Sequence, residues 1–258
     1  MKFLVITPTY NEAGNIIPLL ERIKKSVSDA HVLVVDDNSP DGTSELVQDF
    51  QKKNSNVFLI TRRERDGLAA AYIEALTWAL DHDYDHIIQM DADLSHPPEC
   101  IPLLRGALTT HDLALGCRYE TGGGVSGWPW YRKAISRGGN AYAKTVLNLP
   151  FKDLTGGFIA WRKELLLKIN HRECHSRGYA FLIELKYRAA LCHANGCEVA
   201  FTFPDRIAGK SKMSPRIIAE AALMVLRLRS KNKELRRQLS KSFPERASTK
   251  LKPVRLTT

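Results

Sequence analysis

Four short runs dense in Val, Ile and Leu, at residues 3–7, 32–36, 57–61 and 87–90, alternate with helical patterns at 15–26, 43–51 and 67–81. This alternation constrains the chain more than any other feature, because strand-length runs separated by helices build a mainly parallel sheet wrapped on both sides. Polar or acidic groups at 7–12, 36–39 and 91–95 follow three of the runs directly. Ligands of open α/β sheets bind beyond the carboxyl ends of the strands, so the three groups are expected to meet on one rim.

Further along, 113–116, 158–161 and 199–203 read as strands, and 131–147 and 179–194 as helices. Gly122, Gly123, Gly124 and Gly127 mark a loop between them. Residues 206–214 form a polar, basic loop, and 215–229 an amphipathic helix that either lies in a membrane interface or packs on the rest of the chain. From Lys231 onward a basic run is expected to be partly disordered. The expected division is a catalytic domain over 1–214 and an amphipathic helix with a basic tail over 215–258.

Hydrophobic residues make up 44% of the 258, enough for a full core. The formal charge of +10 points to an anionic partner: nucleic acid, anionic lipid or a phosphorylated substrate. The chain has no aromatic-rich basic patch or recognised binding module, which argues against nucleic acid. Five cysteines, without any CxxC spacing, read as free thiols in a reducing compartment. The His and Cys residues between 171 and 197 fit no common zinc spacing. No secretory leader is expected, and no apolar stretch approaches the ~20 residues that span a bilayer. Work on a lipid would proceed from the membrane surface, on its cytoplasmic face, or through a small membrane subunit.

Asp91-Ala92-Asp93 stands at the centre of the chemistry. Residues two apart in extended backbone point to one side, so both carboxylates can face one cation past the strand end. Hard oxygen ligands favour Mg²⁺ or Mn²⁺, which take their remaining ligands from phosphate and water. A solvated acidic turn is the bland alternative. Asp36-Asp37 can bind a nucleoside's hydroxyls or base edge, or support the metal; the bland alternative is a plain helix cap, since Asp41-Gly42-Thr43 suits the start of the next helix. Tyr10 can pack on a nucleobase and Glu12 accept its hydrogen bonds; alternatively this stretch is a turn capped by Asn11 or Asn15.

PTYNE, VDDNSPDGT and MDADLSHPPE, each following a strand, resemble the inverting family 2 glycosyltransferases of the GT-A fold, a Rossmann-like α/β architecture. RDGLAAAY, GCRYETGGG, RKAISRGGN, LTGGFIAWRKELL and RIAGKSKMS narrow the resemblance to dolichol-phosphate mannosyltransferases and polyprenol-phosphate-mannose synthases, over about residues 1–215. The resemblance implies that Pro8, Tyr10, Glu12, Val35 and Asp37 bind the nucleotide, and that Asp91, Ala92 and Asp93 hold the metal diphosphate. It implies that Arg118, Arg132, Ser136, Arg206 and Lys212 handle the donor and acceptor phosphates. Asp93, Arg118, Arg132 and Arg206 are thereby the expected catalytic set, with Arg118, Arg132 and Ser136 on the acceptor phosphate. Ser95 stands where the family pattern has a metal-binding Gln, Ala69 replaces a Gly and Cys117 a Ser. The usual donor is GDP-mannose and the acceptor a polyprenyl monophosphate; relatives using UDP-glucose share the scaffold.

A lipid phosphate needs no general base, since its second pKa near 6 leaves it mostly dianionic at pH 7. It needs positive charge, which arginines supply in bidentate form. A hydroxyl acceptor or a non-catalytic nucleotide-sugar sensor are the competing functions. The basic motifs argue against the first, and the intact Asp91 and Asp93 against the second.

Overall fold

The structure is a computed structural model in which residues 1–204 and 215–242 are described. In chain order the first half runs β1 (Phe3–Thr9), α1 (Ile16–Ser26), β2 (His31–Asp36), α2 (Thr43–Gln51), β3 (Val57–Thr61), α3 (Leu68–Asp81) and β4 (His86–Gln89). The second half continues α4 (Ile101–Ala107), β5 (Leu113–Cys117), β6 (Gly124–Val125), α5 (Trp130–Leu147), β7 (Ile159–Arg162), α6 (Lys163–Ile169), α7 (Tyr179–Leu191), β8 (Gly196–Ala200), β9 (Thr202–Phe203), α8 (Pro215–Ser230) and α9 (Asn232–Ser242).

Seven strands form one sheet in the order β3-β2-β1-β4-β7-β5-β8. All neighbours are parallel except β7, which runs antiparallel to both β4 and β5. Successive side chains of a strand face opposite sides, and the core divides accordingly. Leu4, Ile6, Leu33, Val35 and Ile87 meet α3, α5 and α7 on one face. Phe3, Val5, Val32, Val34 and Ile88 meet α1 and α4 on the other. Helix α1 shows the logic locally: Ile16, Leu19, Leu20 and Ile23, at helical spacing, are buried against the sheet, while Lys24 and Lys25 close its last turn near the negative end of the helix dipole.

Two departures from the sequence reading have physical causes. The stretch 199–203, read as one strand, is the end of β8 and the separate β9, which pairs with β6. That pairing needs a glycine: a Cβ on Gly123 would lie 2.7 Å from the Cys117 carbonyl oxygen. Within the basic run after Lys231 the sequence reading places no helix, yet 232–242 form α9, whose Leu235 and Leu239 are buried one turn apart. Helix α8 packs on α5 and α7 through Val225 and Leu228, and Tyr142 Oη donates to the Ala222 carbonyl at 3.1 Å. Of the two readings for this helix, packing on the rest of the chain is the one observed, although Leu223 and Leu226 remain exposed. Among the described residues no helix is long and apolar enough to cross a membrane.

Against the sheet-covering helices sits one titratable group with a consequence for stability. His171 is buried, with Nε2 3.0 Å from Thr77 Oγ1, and burial pushes its pKa down to about 4. An unfolded histidine titrates near 6.5. The unfolded chain therefore binds the extra proton between those values, and stability is full above about pH 6.5 and lost as pH falls toward 4. His171→Gln is expected to remove up to about 3 kcal/mol of that pH dependence, read from urea midpoints across the window.

Candidate active site

The carboxyl ends of β1, β2 and β4 open onto a cleft of about 1010 Å³. Pro8, Tyr10, Glu12, Asp37, Asp91, Ala92 and Asp93 all line it, so the three polar clusters of the sequence do share one rim. Val35 is placed differently: its side chain lies in the core inside β2, in register with Pro8.

The rim is held together by a network of buried and part-buried hydrogen bonds. Asp36 is fully buried and accepts bonds from Thr9 Oγ1 (2.7 Å), Ser39 N (2.8 Å), Ser39 Oγ (2.6 Å) and Ser44 Oγ (2.9 Å). A buried carboxylate this well satisfied is a structural tie. Backbone amides of the first loop reach the second in the same way: Asn11 N donates to Ser39 Oγ, Glu12 N to Thr43 Oγ1 and Ala13 N to Asp41. The expected Asn15 cap is absent; its amide instead donates to Glu12 Oε2 at 2.8 Å, orienting that acid. Asp37 pairs with Arg62 and accepts from Gly67 N at 3.1 Å, which joins the 62–67 loop to the rim. Tyr10 does offer an aromatic face, but the Arg65 guanidinium already lies 3.7 Å over it.

At the end of β4, Asp91 and Asp93 are oriented from behind. His96 is buried, and its Nδ1 accepts from Asp91 N at 2.9 Å. Burial holds the His96 pKa below its ordinary value against the pull of Asp91 and Asp93, so the ring is neutral, with its proton on Nε2, 3.9 Å from Asp91 Oδ2. Tyr72 Oη donates to Asp91 Oδ1 at 3.3 Å; burial and then Asp91 itself push the phenol pKa well above normal, so it stays a donor. Ser95 is fully buried and gives its hydroxyl to Asp93 Oδ1, with its amide 3.1 Å from the same atom, so it braces Asp93 rather than facing the cleft. Tyr72→Phe is expected to lower turnover about threefold to tenfold by freeing Asp91, a loss of about 1 kcal/mol in line with one hydrogen bond, measurable in initial rates.

The expected phosphate-binding residues form a neighbouring group. Arg118 is buried and grips Asp153 bidentately, Nε to Oδ2 and Nη2 to Oδ1 both at 2.7 Å, with Nη2 also 2.9 Å from Thr155 Oγ1. Burial works against the charge on Arg118, but Asp153 more than restores it; Asp153, whose burial would raise its pKa, is held below normal by the same pair. Arg132 stacks 3.9 Å over the Trp128 ring, and Ser136, one turn further along α5, bonds Tyr119 Oη at 2.6 Å. Arg118 lies 5.7 Å from that same Trp128 ring, so Arg118, Arg132 and Ser136 are brought together. Arg206 and Lys212 lie outside the described residues.

Sequence reasoning missed His96, Tyr72 and the cleft-lining Arg65, Arg177 and Arg227. His96 and Tyr72 stood within the quoted motifs, but nothing in their spacing distinguishes an orienting group from a packed one. Two carboxylates on one strand end suit a hard cation. Among the described residues no group of three Asp, Glu, His or Cys side chains is placed to hold a metal, so any such ion would draw its other ligands from phosphate and water.

Several known proteins share this frame. The sequence is 40% identical over 227 residues to the undecaprenyl-phosphate mannosyltransferase of Micrococcus luteus, covering 88% of this chain and 93% of that protein. It is also 40% identical over 224 residues to the polyprenol monophosphomannose synthase of Mycolicibacterium smegmatis, covering 86% and 84%. Among solved structures, a mannosyltransferase from Pyrobaculum calidifontis in complex with GDP-Man and Mn²⁺ superposes with a TM-score of 0.52 at 17% identity, covering 93% of this chain and 73% of that one. S. aureus TarS 1-349 in complex with UDP-GlcNAc gives 0.57 at 18% identity, covering 93% and 70%. These two share the fold, which is GT-A. Residues 4–169 match the description of glycosyl transferase family 2, and with the relatives at 40% identity this makes the chain a member of that family, a glycosyltransferase.

Proposed function

We propose that this enzyme transfers mannose from GDP-mannose to a polyprenyl monophosphate, with inversion at the anomeric carbon, at a membrane surface. The observation that carries the reading is the adjacency of two differently charged groups: the Asp91–Asp93 pair on the cleft, and the Arg118–Arg132–Ser136 cluster around Trp128. Gly157 bridges them, since a Cβ there would sit 3.3 Å from Asp91 Oδ1 and the loop before it begins at Asp153, the partner of Arg118. The names of the relatives at 40% identity support the same substrates.

In this reading the nucleotide lies between Pro8, Tyr10, Glu12 and Asp37, with its diphosphate toward Asp91 and Asp93. These two carboxylates would hold a Mg²⁺ or Mn²⁺ ion, which when bound neutralises charge on the leaving diphosphate. Ser95 and Tyr72 keep the carboxylates aimed. The acceptor phosphate would rest on Arg132, Ser136 and the Arg118 Nη1, the nitrogen left out of the Asp153 fork. Already dianionic, it attacks the anomeric carbon without a base, as the opposite bond to the diphosphate breaks.

Helix α5 supports the lipid assignment. Ser136 is buried and Arg132 lies over Trp128, while Trp130, Tyr131 and Ile135 of the same turns are exposed, at 80%, 56% and 46%. The helix carries Arg132, Lys133, Arg137 and Lys144 and no acidic residue. Aromatic side chains beside basic ones suit an anionic lipid interface, and this would present a lipid phosphate to Arg132.

The deciding experiment offers GDP-mannose, UDP-glucose and related donors with a short prenyl phosphate, with and without Mn²⁺. Formation of a β-linked mannolipid from GDP-mannose is expected. Transfer only to sugar or protein hydroxyls, with no lipid product, would overturn the assignment.

A further inference from the structure

The 153–157 loop links the two charged groups of the site, and its own anchoring explains a buried lysine that the reaction scheme does not use. Lys186, on α7, is only 1% exposed. Its ammonium donates to the Leu154 carbonyl at 2.9 Å and the Gly156 carbonyl at 2.6 Å. Burying a lysine is costly unless its charge is met, and beside Phe181, Leu182 and Leu185 of the same helix an apolar residue would fill the place more cheaply.

The remaining bonds of the loop converge on the same purpose. Asn140 Oδ1 accepts from Leu154 N (2.7 Å) and Thr155 N (3.2 Å), and Asp153 Oδ1 accepts from Gly156 N (3.1 Å). The amides are thus held by side chains of the acceptor side, and two of the carbonyls by Lys186. At one end of the loop stands the Arg118–Asp153 pair; at the other, Gly157 lies beside Asp91 and His96, where an added Cβ would sit 3.3 Å from Asp91 Oδ1 and 3.6 Å from His96 Cε1. A shift of the loop therefore moves Arg118 relative to Asp91. Misplacing reacting groups by about 1 Å costs on the order of 100-fold in rate.

We propose that Lys186 is a positioning residue for the transfer reaction, fixing the distance between the acceptor-phosphate cations and the donor carboxylates by clamping the carbonyls of Leu154 and Gly156. The role in transfer rests on the function proposed above; the clamp itself does not.

The clamp depends on its charge. Burial pulls the Lys186 pKa down to about 8, with Asp153 opposing, Arg118 reinforcing, and Glu198 of β8 and Cys117 of β5 opposing. On its own helix Glu184 and Arg188 pair with each other at 3.0 Å. From α3 the buried Tyr72 faces Asp91, and from α8 and α9 Arg229 and Arg236 face Tyr187. A neutral amine still donates, but more weakly and without the charge that Asp153 and Glu198 answer. The clamp is at full strength below about pH 8 and loosens as pH rises through it.

The test compares the full-length protein with Lys186→Met and Lys186→Arg. For Lys186→Met we expect kcat to fall 10- to 100-fold with the donor KM within threefold, and the alkaline fall in kcat near pH 8 to disappear. Lys186→Arg, which keeps the charge, is expected to recover at least part of kcat and to move the alkaline limb upward. Amide hydrogen exchange of 153–157 gives a readout independent of turnover: in Lys186→Met it is expected to quicken at least tenfold while 31–36 is unchanged. Unchanged exchange in 153–157 would sink the clamp whether or not the protein makes a mannolipid. Quickened exchange with kcat within twofold of the parent would leave a clamp without the positioning role, and so overturn the proposal. A parent protein inactive with every prenyl phosphate would instead refute the function proposed above, and with it Lys186's part in transfer.

Discussion

Asp93→Asn is expected to lower kcat/KM for mannosyl transfer by about 10²- to 10³-fold while leaving the fold intact. The estimate takes the loss of one preorganised charge-stabilising group, roughly 3–4 kcal/mol of barrier. Asparagine keeps the size of the side chain and an oxygen for the Ser95 amide, which donates to Asp93 at 3.1 Å, so the bracing of the strand end survives. What disappears is one of the two negative charges on the cleft wall. Removing it also relieves repulsion from Asp91, so the thermal midpoint should stay level or rise. The pair of measurements is therefore diagnostic: initial rates at saturating Mg²⁺ or Mn²⁺ should collapse while stability does not. Turnover near that of the parent would remove the metal–diphosphate role from this residue. A loss of both activity and midpoint would mean that Asp93 is needed for folding.

Much of this site was legible because a parallel sheet converts sequence position into spatial position. Each cluster that follows a strand run must emerge on the same edge, so 7–12, 36–39 and 91–95 were bound to meet once β1, β2 and β4 were neighbours. The strand run at 57–61 and the helix at 43–51 fall where β3 and α2 do, since their apolar spacing is regular. Asp36 and Asp37 show what the sequence hides. They are adjacent and chemically alike, yet Asp36 ties two loops together in the core and Asp37 lines the cleft. Only the alternation of the strand end decides which is which. Ser95 is similar: a motif position places it near a cation, and the fold turns it behind Asp93. Helix α9 was illegible because five of its eleven residues are charged, and two leucines one turn apart do not stand out from a basic run. The Lys186 clamp was illegible for the opposite reason: a lysine inside a helical pattern reads as a solvated face until its partners, about thirty residues away, are seen.

Asp153→Asn should give the largest loss of stability at the site, about 3–5 kcal/mol, by leaving a buried guanidinium without its counter-charge. Arg118 has a side chain only 7% exposed, and that of Asp153 is fully buried. Neither can turn to water when its partner is removed. The pair itself need not be stabilising, because desolvating both charges offsets much of their attraction. The double variant Arg118→Met/Asp153→Leu is accordingly expected to recover most of the stability lost in the single one. Transfer separates a structural pair from a functional one: if Arg118 meets the acceptor phosphate, the double variant folds but remains at least about 100-fold impaired, with the defect concentrated in the prenyl-phosphate KM and kcat and not in donor binding. Asp153 also sets a pH signature. Its carboxyl is held below its ordinary value by Arg118 once the opposing effect of burial is overcome, so its contribution is present above about pH 4 and is lost as pH falls through the lowered value. The double variant should lack that acid-side loss. If it regained both stability and transfer, Arg118 would be a strut for the 153–157 loop, and the acceptor phosphate would have to find its charge on Arg132 and the arginines lining the cleft.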